Sequence, residues 1–263
     1  MNSSDFPPQA ALLAAPADAL DAVGHFDPYP YYDQLAARGG LHFDPALQLW
    51  VAASAASVKA VLGHAACRVR PPAQPVPAPI VGGSAGEVFA ALVRMNDGER
   101  HAQPKLALQR ALAALPLAEA QQRATRLGRQ LWRGDGGLSH WLCEVPVTVV
   151  ASLMGFPAEQ LPALAAWMGR FVACLSPLSS PGQLADAHQC ARDLLATFRT
   201  LLQQQPPPAP DTLLALVWAE AQAAGWDDAR AILANLVGLL SQTYEASAGL
   251  LGNSVVALVR QPE

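Results

Sequence analysis

The chain has 263 residues, enough for one large domain or two small ones with a substantial buried core. Just over half of the residues are hydrophobic (52%), 14% are charged and 6% are aromatic, the profile of a protein built mostly of Ala- and Leu-rich helices. A net charge of −4, with no basic stripe or Lys/Arg run, argues against nucleic acid and anionic membrane as partners.

Residues 1–26 hold Pro7, Pro8 and Pro16 with little periodicity and read as an irregular lead-in to a single region over 27–263. The first basic side chain after the start is Arg38, so the positive n-region of a secretory signal is missing. Pro28 to Arg38 has a helical pattern, stopped by Gly39-Gly40. The stretch from Leu41 to Ala53 predicts a β-hairpin: Leu41 and Phe43 alternate with polar neighbours, Asp44-Pro45 opens the turn, and Leu47, Leu49 and Val51 alternate again. Ser54 then opens a helix with Val58, Val61 and Leu62 on one face.

Pro71 to Pro79 (PPAQPVPAP) cannot be regular, because each proline removes a donor and fixes φ; with Gly82, Gly83 and Gly86 it predicts a long irregular loop. After Asn96 the pattern is nearly all helical, punctuated by Pro116, Gly134–Gly137, Gly155-Phe156-Pro157, Ser176–Gly182 and Pro206–Pro210. A last long helix starts near Trp226-Asp227-Asp228, with Asp227 as the expected N-cap, and runs towards Arg260. Apolar on most faces, it belongs in a protein centre. No stretch of about 18 or more residues is apolar enough to span a bilayer, since Ile232 to Val259 is interrupted by Asn235, Gln242, Glu245 and Asn253. A cytoplasmic protein is expected. Cys67, Cys143, Cys174 and Cys190 form no C-x-x-C pair and read as small buried hydrophobes of a reducing compartment.

In this order and spacing the pieces resemble the bacterial, soluble type of cytochrome P450. DPYPYYDQLAARGGLHFDPALQLWVAASAASVKAVL is similar to that family's first helix, first hairpin and second helix, and DGERHAQPKLALQRAL to its C helix. VPVTVVASLMGFP resembles the E helix and its following turn, and DDARAILANLVGLLSQTYEASAGLLGNSVVALVRQPE the I helix and the start of the next. The resemblance implies a mainly α fold with a small N-terminal β-hairpin, here an incomplete cytochrome P450-like fold. It also implies a family activity of heme-dependent monooxygenation of a small organic molecule.

Carried over residue by residue, the C-helix histidine is His101, which in the family would donate to a heme propionate. Four residues on, where the family has Arg, stands Lys105, a point charge without bidentate geometry. The I-helix pattern Ala/Gly-Gly-x-Asp/Glu-Thr-Thr/Ser aligns with Gln242-Thr243-Tyr244-Glu245-Ala246-Ser247. The acid is kept at Glu245, Thr243 replaces the glycine beside which dioxygen sits, and Ala246 replaces the threonine that helps deliver protons. A methyl group has no proton to give, and Ser247 points about 100° further round the helix.

The heme-binding loop, Phe-x-x-Gly-x-x-x-Cys-x-Gly, finds no match: Cys67 has Gly63 four residues earlier, but Ala60 and Val69 stand at the Phe and second Gly places. No glutamate has Arg three positions on. A thiolate ligand sets the electronics for O–O cleavage, so the chain is expected to be inactive alone and to bind heme weakly or not at all. The histidines form no H-E-x-x-H or H-x-x-E-H set, so no metal site is expected. The alternative is a non-catalytic helper that binds another protein, or itself, through an uncovered apolar face of the long helix.

Overall fold

A computed structural model describes residues 14–134 and 137–261. Two units are distinguished, one ending at Arg68 and one beginning at Val69. The expected lead-in, 1–26, lies in part outside the described residues; its described end carries a short helix, α1 (Asp21–Gly24).

The first unit continues with α2 (Tyr29–Arg38), β1 (Leu41–Asp44), β2 (Leu49–Ala52) and α3 (Ala55–Gly63). Pro30 sits in the first turn of α2, where a missing N–H costs nothing, and Gly39 ends the helix. The hairpin is antiparallel, with Leu41 opposite Ala52 and Asp44 opposite Leu49. Its turn is closed by the Asp44 carboxylate, which accepts from the N–H groups of Ala46 (2.9 Å) and Leu47 (3.1 Å). Leu41 and Phe43 are exposed, and the Phe43 ring leans on Trp50 at 5.4 Å. The Ser54 hydroxyl caps α3 by accepting from Ser57 N–H (3.2 Å), but Leu62 is exposed and does not share a covered face with Val58 and Val61.

The second unit is helical: α4 (Ser84–Ala91), α5 (Glu99–Ala113), α6 (Leu117–Leu131), α7 (Leu138–Leu153), α8 (Leu161–Val172), α9 (Pro181–Leu202), α10 (Leu213–Ala223) and α11 (Ala229–Arg260). The breaks between them fall where the proline and glycine clusters stand. The proline stretch is irregular up to a single 3-10 turn at Ala78–Ile80. Arg70 latches it, donating to the carbonyl of Pro75 (3.0 Å) and to Oδ1 of Asn96 (2.7 Å).

The irregular segment ends earlier than its glycines suggest, because α4 begins at Ser84 and takes in Gly86. A Cβ at Gly86 would lie 2.1 Å from the carbonyl oxygen of Ile80, so this glycine serves close approach and not flexibility. The α4 N-terminus is satisfied from α9, where His188 Nδ1 accepts from Ala85 N–H (3.2 Å).

The core gathers Met154, Leu164, Met168, Phe171, Leu194 and Phe198, all essentially without exposure, between α7, α8, α9 and α11. Phe156 meets Phe198 edge to face at 5.0 Å. Helix α11 packs on α7, α8, α9 and α4. Its crossing with the end of α4 is tight, since a Cβ on Gly238 would come within 2.5 Å of the Leu92 side chain. Among the described residues no helix is long and apolar enough to cross a membrane.

Candidate functional site

Asp228 caps α11, its carboxylate accepting from the N–H groups of Arg230 (3.0 Å) and Ala231 (3.1 Å). The tandem Asp227-Asp228 gives two equivalent cap signals, and the chain uses the second. From Ile232 to Ser241 the helix is buried apart from the partly covered Leu239. Within this apolar run Asn235 is fully employed. Its Oδ1 accepts from Val93 N–H (2.8 Å), and its Nδ2 donates to the carbonyls of Ala91 (2.9 Å) and Ala231 (2.8 Å). One amide thus pins α11 to the segment joining α4 and α5.

The carbonyl of Val93 faces Nδ1 of His101 on α5 at 3.1 Å. A carbonyl only accepts, so Nδ1 carries the proton and Nε2 is left for another partner. Lys105 follows one turn later and is exposed. His101 is therefore joined to α11 through Val93 and Asn235, a link no sequence motif announced.

From Gln242 onward α11 emerges, and its side chains divide by face. Thr243 and Ser247, four residues apart, line a groove between α6, α7 and α11. The Thr243 hydroxyl donates back to the carbonyl of Leu240 (2.8 Å). Tyr244 turns to α7 and α8, beside Cys143 and close to Gly169, and burial followed by the Cys143 thiol holds its phenol above the ordinary value. Glu245 and Ala246 are exposed. The structure thus brings Thr243 and Ser247 together, places Glu245 and Ala246 on the outer surface, and reaches His101 only through the Val93 link.

The groove has a volume of about 780 Å³. Val145, Pro146, Val149 and Val150 of α7 line one side, and Trp132 and Trp141, edge to face at 5.7 Å, close one end. Pro146 lies inside α7 and removes a backbone donor there. A second cavity of about 480 Å³ between α7 and α8 holds His140, Cys143, Glu144, Arg170 and Tyr244. Glu144 is only 7% exposed, with its Oε2 3.0 Å from His140 Nδ1 but without hydrogen-bond geometry. Among the described residues no cluster of His, Cys, Asp and Glu could hold a metal ion.

Two curated proteins resemble parts of the chain. A C-19 steroid 1alpha-hydroxylase of Sorangium cellulosum (strain So ce56) is 24% identical over 126 residues, 48% of this chain and 32% of the relative. Cytochrome P450 BJ-3 of Bradyrhizobium diazoefficiens is 29% identical over 120 residues, 45% of this chain and 28% of the relative. No family model matches. The solved structure of CalO2 superposes with a TM-score of 0.72 over 95% of this chain at 21% identity.

The solved structure of Sorangium cellulosum So Ce56 cytochrome P450 260B1 superposes with a TM-score of 0.67 over 90% of this chain and 60% of its own length, at 21% identity. The fold is that of the cytochromes P450. The chain spans 63% of CalO2, and its matched stretches span about a third of the curated P450s. It resembles the P450s in sequence and shares their mainly α architecture with an antiparallel hairpin.

P450s carry heme, which needs an axial thiolate and partners for its carboxylates. His101, with Nε2 uncommitted, and Lys105 are the groups here suited to the carboxylates. The cysteines suit the iron less well. Burial pushes the Cys174 thiol up to about 11 and raises Cys190 too, so both stay protonated, whereas a metal ligand must be thiolate. Cys143 faces Tyr244. Cys67, expected to be buried, is exposed on the first unit.

Proposed function

We propose that this chain is a degenerate member of the P450 type, related to monooxygenases of small organic molecules but unable by itself to activate dioxygen in the family's manner. The observation that carries the reading is the methyl group of Ala246 where the resemblance expects a hydroxyl. The neighbouring hydroxyls do not replace it: Thr243 donates back to its own helix and, with Ser247, lines the α6–α7 groove. General acid catalysis needs a donor held within reach of the reacting atom. Glu245 keeps a carboxylate on the exposed face, without a positioned hydroxyl beside it.

Heme, where bound, would supply the redox chemistry. His101 and Lys105 would hold its carboxylates, while Cys174 and Cys190, whose thiols burial raises, are poor iron ligands. Titration of the purified chain with hemin, followed by reduction under carbon monoxide, tests this. The expected spectrum lacks the thiolate-type ferrous–CO band, and His101→Ala weakens whatever hemin binding occurs. A thiolate-type band with turnover of any substrate would overturn the reading.

A second reading, a non-catalytic helper, is favoured by the far end of α11. There Leu250, Val256, Leu258 and Val259 are exposed, Val259 by 77%. Apolar side chains exposed on several faces of one helix form a surface suited to meeting another protein.

A further inference from the structure

We propose that the cavity between α7 and α8 is a binding site for a small ω-amino acid, a molecule with an ammonium at one end and a carboxylate at the other. Such a site needs neither heme nor the exposed end of α11.

The cavity belongs to the packed side of the molecule. Tyr244 lines it from α11. At about 100° per residue, Tyr244 stands roughly 160–200° round the helix from Gln242 and Ala246, which are exposed. The other walls come from the first turns of α7 and from α8 between Pro162 and Arg170. At about 480 Å³ the space lies within the usual size of small-molecule sites, roughly 300–1,000 Å³. Gly169 leaves room for the phenol, since a Cβ there would come 2.8 Å from the Tyr244 hydroxyl.

The unsatisfied group is Glu144. The residue is only 7% exposed, and its Oε2 has no hydrogen-bond partner. His140 Nδ1, 3.0 Å away, lies off the hydrogen-bond direction. The His140 side chain is 74% exposed and makes no hydrogen bond among the described residues, so it can turn aside at little cost. A buried carboxylate without a donor is costly, and an incoming ammonium brings three donors.

Arg170 selects the other end. It lines the same cavity, is exposed, and has no carboxylate partner among the described residues. A guanidinium grips a carboxylate through two parallel N–H bonds. The α8 wall is otherwise small and apolar, with Ala165 and Ala166, which suits a methylene spacer between two charged ends. A simple amine leaves Arg170 unused, and a simple carboxylate meets the like charge of Glu144.

The test titrates the whole nitrogen-15-labelled chain with 6-aminohexanoate and with its single-charge counterparts, pentylamine and hexanoate, read by amide chemical shifts. The ω-amino acid is expected to bind about tenfold tighter than pentylamine, and hexanoate not at all. The amides of Cys143 and Gly169 should move most. Glu144→Gln keeps the shape and removes the charge, and should abolish binding of both amines with circular dichroism unchanged. Arg170→Gln, on the surface, should lower 6-aminohexanoate to the level of pentylamine and leave pentylamine unaffected.

Equal affinity of 6-aminohexanoate and either counterpart, binding of none of the three, or shifts confined to residues away from α7 and α8 would overturn the proposal. So would an affinity for 6-aminohexanoate that survives Glu144→Gln. Should Glu144→Gln fail to fold, Arg170→Gln decides alone, and an unchanged affinity for 6-aminohexanoate in that variant sinks the site.

Discussion

At the scale of single residues, Asn235 ties α11 to the segment between α4 and α5 through three hydrogen bonds. Asn235→Ala leaves the N–H of Val93 and the carbonyl of Ala91 without side-chain partners where the amide is buried. We expect a loss of about 1–3 kcal/mol, the cost of an unsatisfied buried donor, in urea-unfolding midpoints. Cys174 governs a different condition. Its thiol is raised from the ordinary 9.0 to about 11 by burial, so the folded state holds its proton while the unfolded chain ionises. Stability from this group is complete below about pH 9 and is lost as pH rises towards 11; two units correspond to about 2–3 kcal/mol at most. Cys174→Ala should therefore flatten the alkaline limb of a stability–pH profile between those values, whatever it does to stability at neutral pH.

At the scale of elements, α11 depends on its start. Asp228→Ala removes an acceptor shared by two N–H groups and should cost about 0.5–2 kcal/mol, read as a lower thermal midpoint. Most elements were legible because glycine and proline write their boundaries locally: the hairpin, the stop at Gly39 and the breaks near Pro116, Pro157 and Pro208 need only nearest neighbours. Helix α4 was not, because a Ser-Ala-Gly run has weak helical preference and only the approach of Ile80 to Gly86 reveals why a glycine stands there. The partner of Asn235 lies 142 residues away in sequence, so no periodicity could name it. The groove was equally silent, since its lining comes from three helices whose apolar faces each look like ordinary core. The six-residue segment at Gln242 could be read for its residue types alone, because a step of about 100° per residue separates Ala246 from Ser247.

At the scale of the molecule, burial is uneven along the longest helix. α11 enters the core at Ile232 and leaves it after Ser241, and the sequence expectation of a helix buried on all sides holds only for that first part. The exposed tip should make the protein sticky. Leu258→Glu/Val259→Glu is expected to shift light-scattering mass at high concentration towards the monomer without changing helicity, whereas the core-facing half tolerates no such charge. An unchanged mass distribution would show that the tip does not drive association.

The hinge of this arrangement is Val93. Its N–H is held by α11 and its carbonyl by His101 on α5, so a single residue reports on both helices. In deuterium-exchange NMR its amide should be among the slowest, opening only with the global unfolding of the second unit. A ligand captured at His101 should then alter the exchange rate of that one amide before any change in overall shape, giving a spectroscopic reporter that needs no bound chromophore.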